Sequence, residues 1–236
     1  MRCLTLALDA LPSLRDATAS SDVDLAAAAT LAELAGVDAV RLGVNEDLKP
    51  VREEDVQEAR RATRRLELCM PPSHALLRVA LEVRPDRVVL AAEGREGGSP
   101  AGPLELKGRS LAIGPIVRAL AEAGIPVATL VAPEIEAVRA AHAEGVGAVD
   151  LFTGAIVDLP PSERRRELER LADAVRLAAK LRLAIGLCGG LGYRTLREVL
   201  DVAPAAERVV VGRAALARAM LVGLDRALRD LRGLVG

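Results

Sequence analysis

Cys188-Gly189-Gly190-Leu191-Gly192 and Val211-Gly212-Arg213 are the stretches on which the fold is read. Each closes a short aliphatic run, 182–187 and 208–211, and each is followed by a helical pattern. Counted along the chain, these runs are the seventh and eighth of about eight strand-and-helix units. In a closed barrel of alternating strands and helices, the loops after strands seven and eight are the usual cradle for a phosphate. The two turns therefore predict a (β/α)8 TIM barrel of the α/β class. They mark Gly189, Gly190, Gly212 and Arg213 as phosphate-binding candidates. Glycine also closes tight turns with no ligand present, and Arg213 reads equally as a solvated surface arginine.

Working outward, the other strands fall at 3–8, 39–44, 65–69, 87–91, 126–130 and 148–152. The helices fall at 24–35, 53–63, 73–83, 113–123, 134–144, 162–180, 193–202 and 213–232. An open doubly wound sheet has the same alternation, but eight units in 236 residues match the size of one barrel domain, here 1–236. Gly36, Gly124 and Gly145 stand where helices must stop before the next strand begins, on the face away from the predicted site. Neither a Walker-type loop nor a G-x-G-x-x-G follows the first strand, so a nucleotide motif is missing.

Composition narrows the partners. Lys plus Arg number 32 and Asp plus Glu 33, a net charge of -1 that draws the chain to neither nucleic acid nor anionic lipid. Phe152 and Tyr193 are the only aromatic residues, too few for a base-stacking platform. The hydrophobic content is 51%, enough to fill a large core, yet no charge-free apolar run reaches about 18 residues. The N-terminus opens directly into a strand, without the layout of a signal peptide. Cys3, Cys69 and Cys188 are odd in number and widely spaced, which predicts free thiols in a reducing cytoplasm rather than a disulfide framework or zinc site. No His, Cys and carboxylate cluster has metal-ligand spacing, so neither metal nor organic cofactor is expected.

Strand C-termini face a barrel's mouth and supply its chemistry. There the sequence places Asp9, Glu46, Asp47, Glu67, Glu93, Asp150 and Thr153. Glu67 sits in the apolar run Leu66-Glu67-Leu68-Cys69-Met70, where a desolvated carboxylate gains a raised pKa suited to proton transfer. It reads equally as a partner of Arg61, Arg64 or Arg65. Asp9 suits either orientation of a substrate hydroxyl or capping of the loop behind it. The Gly- and Pro-rich stretch 94–103 has the composition of a mobile lid or of a surface insertion. His74 and His142 fall in helices, in positions typical of surface or packing residues.

With these residues in view, the chain resembles the pyridoxine 5'-phosphate synthase family nearly end to end. The resemblance is carried by Leu8-Asp9 with Ser13-Leu14-Arg15, Ala35-Gly36-Val37-Asp38, Glu46-Asp47 and Leu66-Glu67-Leu68. It continues in Leu120-Ala121-Glu122-Ala123-Gly124-Ile125, Thr153-Gly154, Gly190-Leu191 with Tyr193, Gly212, Arg218-Ala219 and Gly223-Leu224. It implies a (β/α)8 barrel that condenses 1-deoxy-D-xylulose 5-phosphate with 3-amino-2-oxopropyl phosphate, releasing phosphate and water. It also implies a homo-oligomer acting on a small phosphorylated substrate.

By that resemblance Glu67 is the catalytic glutamate, Asp9 and Ser99 bind substrate, and Gly190 and Gly212 belong to the phosphate loops; Thr153, at the end of strand six, is a further substrate-binding candidate. The chain departs from the family pattern at the same site. Two catalytic histidines of the family fall on Gly43 and Gly189, and others on Ala10, Pro50 and Arg213. An asparagine is replaced by Ala7, and arginines by Thr18 and Asn45. The resemblance thus implies either an enzyme with altered proton donors or a phosphate-ligand-binding or scaffold protein that has lost turnover. Arg213 and Lys49 are the candidates to replace the missing positive charge.

Overall fold

The computed structural model describes residues 1–94, 102–106 and 113–236. Eight parallel strands close into a barrel in sequence order: β1 (Cys3–Ala7), β2 (Ala39–Gly43), β3 (Leu66–Met70), β4 (Arg87–Leu90), β5 (Val127–Val131), β6 (Ala148–Phe152), β7 (Ala184–Cys188) and β8 (Arg208–Val211). Closure comes from β1 against β8, with Cys3 opposite Arg208 and Leu6 opposite Val211. The predicted strands agree with these to within about two residues at each end.

The helices, in chain order, are α1 (Ala10–Thr18), α2 (Leu25–Leu34), α3 (Glu53–Ala62), α4 (His74–Val83), α5 (Gly114–Glu122), α6 (Ile135–Ala143), α7 (Gly154–Asp158), α8 (Pro161–Lys180), α9 (Leu196–Val202), α10 (Arg213–Val222) and α11 (Leu224–Val235). Three differ from the sequence expectation. Helix α1 is absent from the sequence expectation; Pro12 stands in it, and a proline in the first helical turn removes only an N–H that has no partner there. Helix α7 is a five-residue turn of helix between β6 and α8. The helix expected over 213–232 is two helices, broken at Gly223 with φ of 82°. That break makes α10 a short extra helix after β8, ahead of the outer-ring helix α11.

Gly36, Gly124 and Gly145 adopt φ of 92°, 75° and 82° at the ends of α2, α5 and α6, the left-handed stops that the sequence predicts. Alternation along each strand separates two apolar clusters. Leu4, Leu6, Val40, Leu42, Leu66 and Leu68 face outward into the helix layer. Cys69, Val89, Ala128, Leu130 and Ala148 face inward, with Phe152 and Cys188 packed on them. The inward set is rich in small residues, where barrels usually carry bulky branched ones, and the space so left is filled by charged side chains.

Candidate functional site

The two glycine turns converge at the C-terminal end of the barrel. A Cβ on Gly192 would lie 2.7 Å from the Ala214 Cβ in the first turn of α10, and one on Gly212 would lie 3.1 Å from Ala7 at the end of β1. Gly189 and Gly190 have φ of 107° and 67°, a conformation L side chains rarely adopt. Phe152 lies against Gly189, so a Cβ there would come within 2.6 Å of its ring. Among the described groups, the N–H donors of Gly189, Gly190, Arg213 and Ala214 bond to no acceptor. Those of Arg213 and Ala214 open α10, where the helix dipole adds partial positive charge. Unspent N–H donors at a helix start make an anion cradle.

Thr153, which follows β6, is buried and donates its hydroxyl to the Gly189 carbonyl at 2.6 Å. It ties the β6 end to the turn after β7 and so shapes the cradle. Asp9, half-buried at the end of β1, accepts the Gly43 N–H on Oδ1 at 2.5 Å and does not cap α1 with its side chain. It joins the ends of β1 and β2. Arg213 and Lys49 are exposed, Arg213 as the first residue of α10. Ser99 lies outside the described residues, as does most of the 94–103 stretch. Its base is described: Gly94 N–H donates to Asn45 Oδ1, Glu46 N–H donates to Glu93 Oε1, and Ala92 N–H donates to the Gly102 carbonyl. The loops after β2 and β4 are therefore stapled together above β3.

Glu67 is inside the barrel, two residues below Cys69, and contacts none of Arg61, Arg64 or Arg65. Its Oε2 accepts from Arg41 Nη2 at 2.7 Å and Nε at 3.0 Å, and its Oε1 lies 3.1 Å from Arg208 Nε. Arg41 also donates to Asp150 Oδ2 at 2.6 Å, and Arg208 Nη1 stands 3.8 Å from Asp150 Oδ1. Two guanidinium groups and two carboxylates from β2, β3, β6 and β8 thus form a neutral quartet across the barrel axis. Burial raises the Asp150 carboxyl above the ordinary carboxylate range against the pull of Arg41. Burial alone would lower Arg41, but the Asp150 and Glu67 carboxylates outweigh it and hold it charged.

The quartet reaches the mouth through one contact, Arg41 Nη1 to Cys188 Sγ at 3.6 Å. Burial pushes the Cys188 thiol up to about 12 and raises Cys69 further, so both are protonated at neutral pH. Arg41 and Arg208 escaped the sequence reading, although Arg41 interrupts an aliphatic run as Asp150 does, and Arg208 opens one, all on the inward register. His74 opens α4 and His142 lies in α6, both exposed. Among the described residues no helix is long and apolar enough to cross a membrane.

The barrel resembles solved structures in fold. Thiamine phosphate pyrophosphorylase from Pyrococcus furiosus matches with a TM-score of 0.62 at 18% identity, covering 99% of this chain and 95% of that one. A 3-hexulose-6-phosphate synthase matches at 0.63 and 18%, covering 99% of both. Sequence relatives are nearer. The pyridoxine 5'-phosphate synthases of Syntrophotalea carbinolica and Synechococcus sp. (strain JA-2-3B'a(2-13)) are 33% and 34% identical, each covering 100% of this chain and 99% of the relative. A family model described as "Pyridoxal phosphate biosynthesis protein PdxJ" matches residues 4–236. With relatives aligned along the whole chain and a barrel whose glycine turns meet at its mouth, the chain belongs to the PdxJ family of pyridoxal phosphate biosynthesis proteins.

Proposed function

We propose that this chain binds a small phosphorylated substrate at the barrel mouth and carries out the pyridoxine 5'-phosphate synthase condensation of 1-deoxy-D-xylulose 5-phosphate with 3-amino-2-oxopropyl phosphate. The observation that carries this reading is the cradle: unspent N–H groups of Gly189, Gly190, Arg213 and Ala214 gathered between β7, β8 and the start of α10. Phosphate oxygens accept such donors, and the helix start adds favourable charge. Arg213 supplies a guanidinium at the rim. Asp9 is the half-buried carboxylate beside the cradle, suited to orienting a substrate hydroxyl, and Thr153 holds the turn in shape.

For Glu67, which the resemblance makes the catalytic glutamate, the geometry favours a positioning role. Both of its oxygens face guanidinium groups, and a general base needs a lone pair within hydrogen-bond reach of the proton it takes. Glu67 holds Arg41, and Arg41 reaches Cys188 at the floor of the mouth. The same observation favours a second reading, in which the chain binds the phosphorylated ligand and does not turn it over.

The test is mass-spectrometric detection of pyridoxine 5'-phosphate after incubating purified protein with both substrates, alongside Gly189→Ala and Glu67→Gln checked for folding by circular dichroism. Product that falls in Gly189→Ala supports the synthase reading. Absence of product with calorimetric binding of 1-deoxy-D-xylulose 5-phosphate, weakened in Gly189→Ala, supports the second. Neither product nor binding overturns both.

A further inference from the structure

Besides the mouth, the barrel has a second opening for chemistry at its opposite end. Five charged side chains occupy the inward register of the strands: Arg41, Glu67, Arg87, Asp150 and Arg208. Four of them neutralise one another in the quartet. Arg87, the first residue of β4 and the register neighbour of Glu67, is the odd one. It is buried, its Nη1 has no hydrogen-bond partner, and it enters no ion pair among the described residues. A buried guanidinium without an anion is costly, and such orphaned groups call for an occupant.

Arg87 lines a cavity of about 430 Å³ at the N-terminal end of the barrel, between the turns that lead into β5 and β6. Val117, Gly124, Pro126, Gly145 and Gly147 form much of its wall, and every lining residue other than Arg87 is apolar or glycine. Among the described residues no carboxylate lines it, so the cavity offers nothing to a cation. The nearby helix-end carbonyls are spoken for as well. Gly124 and Ile125 N–H groups close those of Ala121 and Leu120 at the end of α5, and Glu144 and Gly145 N–H groups close those of Ala140, Ala141 and His142 at the end of α6. Arg87 thus lines, without an anionic partner among the described residues, an otherwise uncharged and glycine-rich space large enough for a small molecule.

We propose that this cavity is a second ligand site that takes a small oxyanion, a carboxylate or a phosphate, on the Arg87 guanidinium. The planar fork of arginine matches either group with paired hydrogen bonds. The site lies at the end of the barrel away from the glycine cradle, so it is independent of turnover at the mouth.

The experiment is calorimetric titration of inorganic phosphate, and separately of acetate, into Gly189→Ala, whose mouth cradle is disabled, and into Gly189→Ala with Arg87→Met. Saturable binding in the first that weakens about tenfold or more in the second supports the site, since a hydrogen bond to a charged group is worth at least that factor. A response to phosphate alone or acetate alone assigns the class. Equal binding in both proteins, or none in either, overturns the proposal. Should Arg87→Met fail to fold, selenate soaked into crystals of the wild-type protein decides: an anomalous peak within hydrogen-bond distance of Arg87 supports the site, and water alone there overturns it.

Discussion

Gly186 on β7 leaves room for the carboxylate of Asp150 on β6, its register partner: a Cβ at Gly186 would overlap Asp150 Oδ1. The missing side chain of one strand is the space in which the charge of the next is housed. Gly186→Ala is expected to push Asp150 off Arg41 and to cost about 2–4 kcal/mol, combining overpacking with a disturbed buried ion pair. Urea denaturation reads this directly. A loss under about 0.5 kcal/mol, the range of an ordinary surface substitution, would show that the quartet tolerates displacement.

The quartet predicts strong coupling. Arg41→Met alone leaves two carboxylates facing one guanidinium and should cost about 3–5 kcal/mol, the usual penalty for removing one partner of a buried pair. Asp150→Asn in the same protein restores the balance of one positive and one negative group, so the double variant should be markedly more stable than the sum of the singles. A double-mutant cycle in urea measures this. Strict additivity would contradict a shared network.

At the cradle, Thr153→Val removes the hydroxyl that holds the Gly189 carbonyl. The expected result is a loss of about 1 kcal/mol in stability and weaker binding of a phosphorylated ligand by about tenfold, because the turn loses its anchor and not its donors. Calorimetry of Thr153→Val beside Thr153→Ser checks it. Serine keeps the hydroxyl and should recover most of the affinity.

The thiols give a pH dependence with a definite sign. The folded Cys188 thiol ionises at about 12, above its ordinary 9.0, so the native state holds a proton that the unfolded state releases. That contribution to stability is intact below about pH 9 and is lost as pH rises from about 9 to about 12. Maleimide labelling at pH 8 should accordingly be at least about tenfold slower in native than in urea-unfolded protein, since the thiolate is the nucleophile. Comparable labelling rates would mean that Cys188 is exposed and ionised more readily than its burial implies.

Much of the architecture was legible in the residues. Aliphatic runs of strand length, each followed by a helical period and three of them with that period stopped by Gly36, Gly124 or Gly145, specify alternating strands and helices because local periodicity and left-handed turns are properties of short segments, and eight such units match one barrel. The turns at Gly189–Gly190 and Gly212–Arg213 were legible for the same reason. Helix α1 was not, since Pro12 breaks a helix in the interior and is neutral in a first turn, and the two cases differ only by where the helix begins. The single helix expected over 213–232 hid α10, whose existence depends on the one glycine at 223.

Sequence by itself determined the positions of the strands, the helix stops and the glycine turns, which follow from contacts within a few residues. Only the tertiary structure decided the fate of Glu67. Its neighbours in sequence, Arg61, Arg64 and Arg65, are close along the chain and remote from its carboxylate, whereas Arg41 and Arg208 come from strands 26 residues earlier and 141 residues later, by difference of numbering. Barrel closure sets β8 beside β1 and turns the inward register of all eight strands toward one axis. Charges far apart along the chain meet there in low dielectric, where pairing is obligatory, and no local pattern encodes which partner each will find.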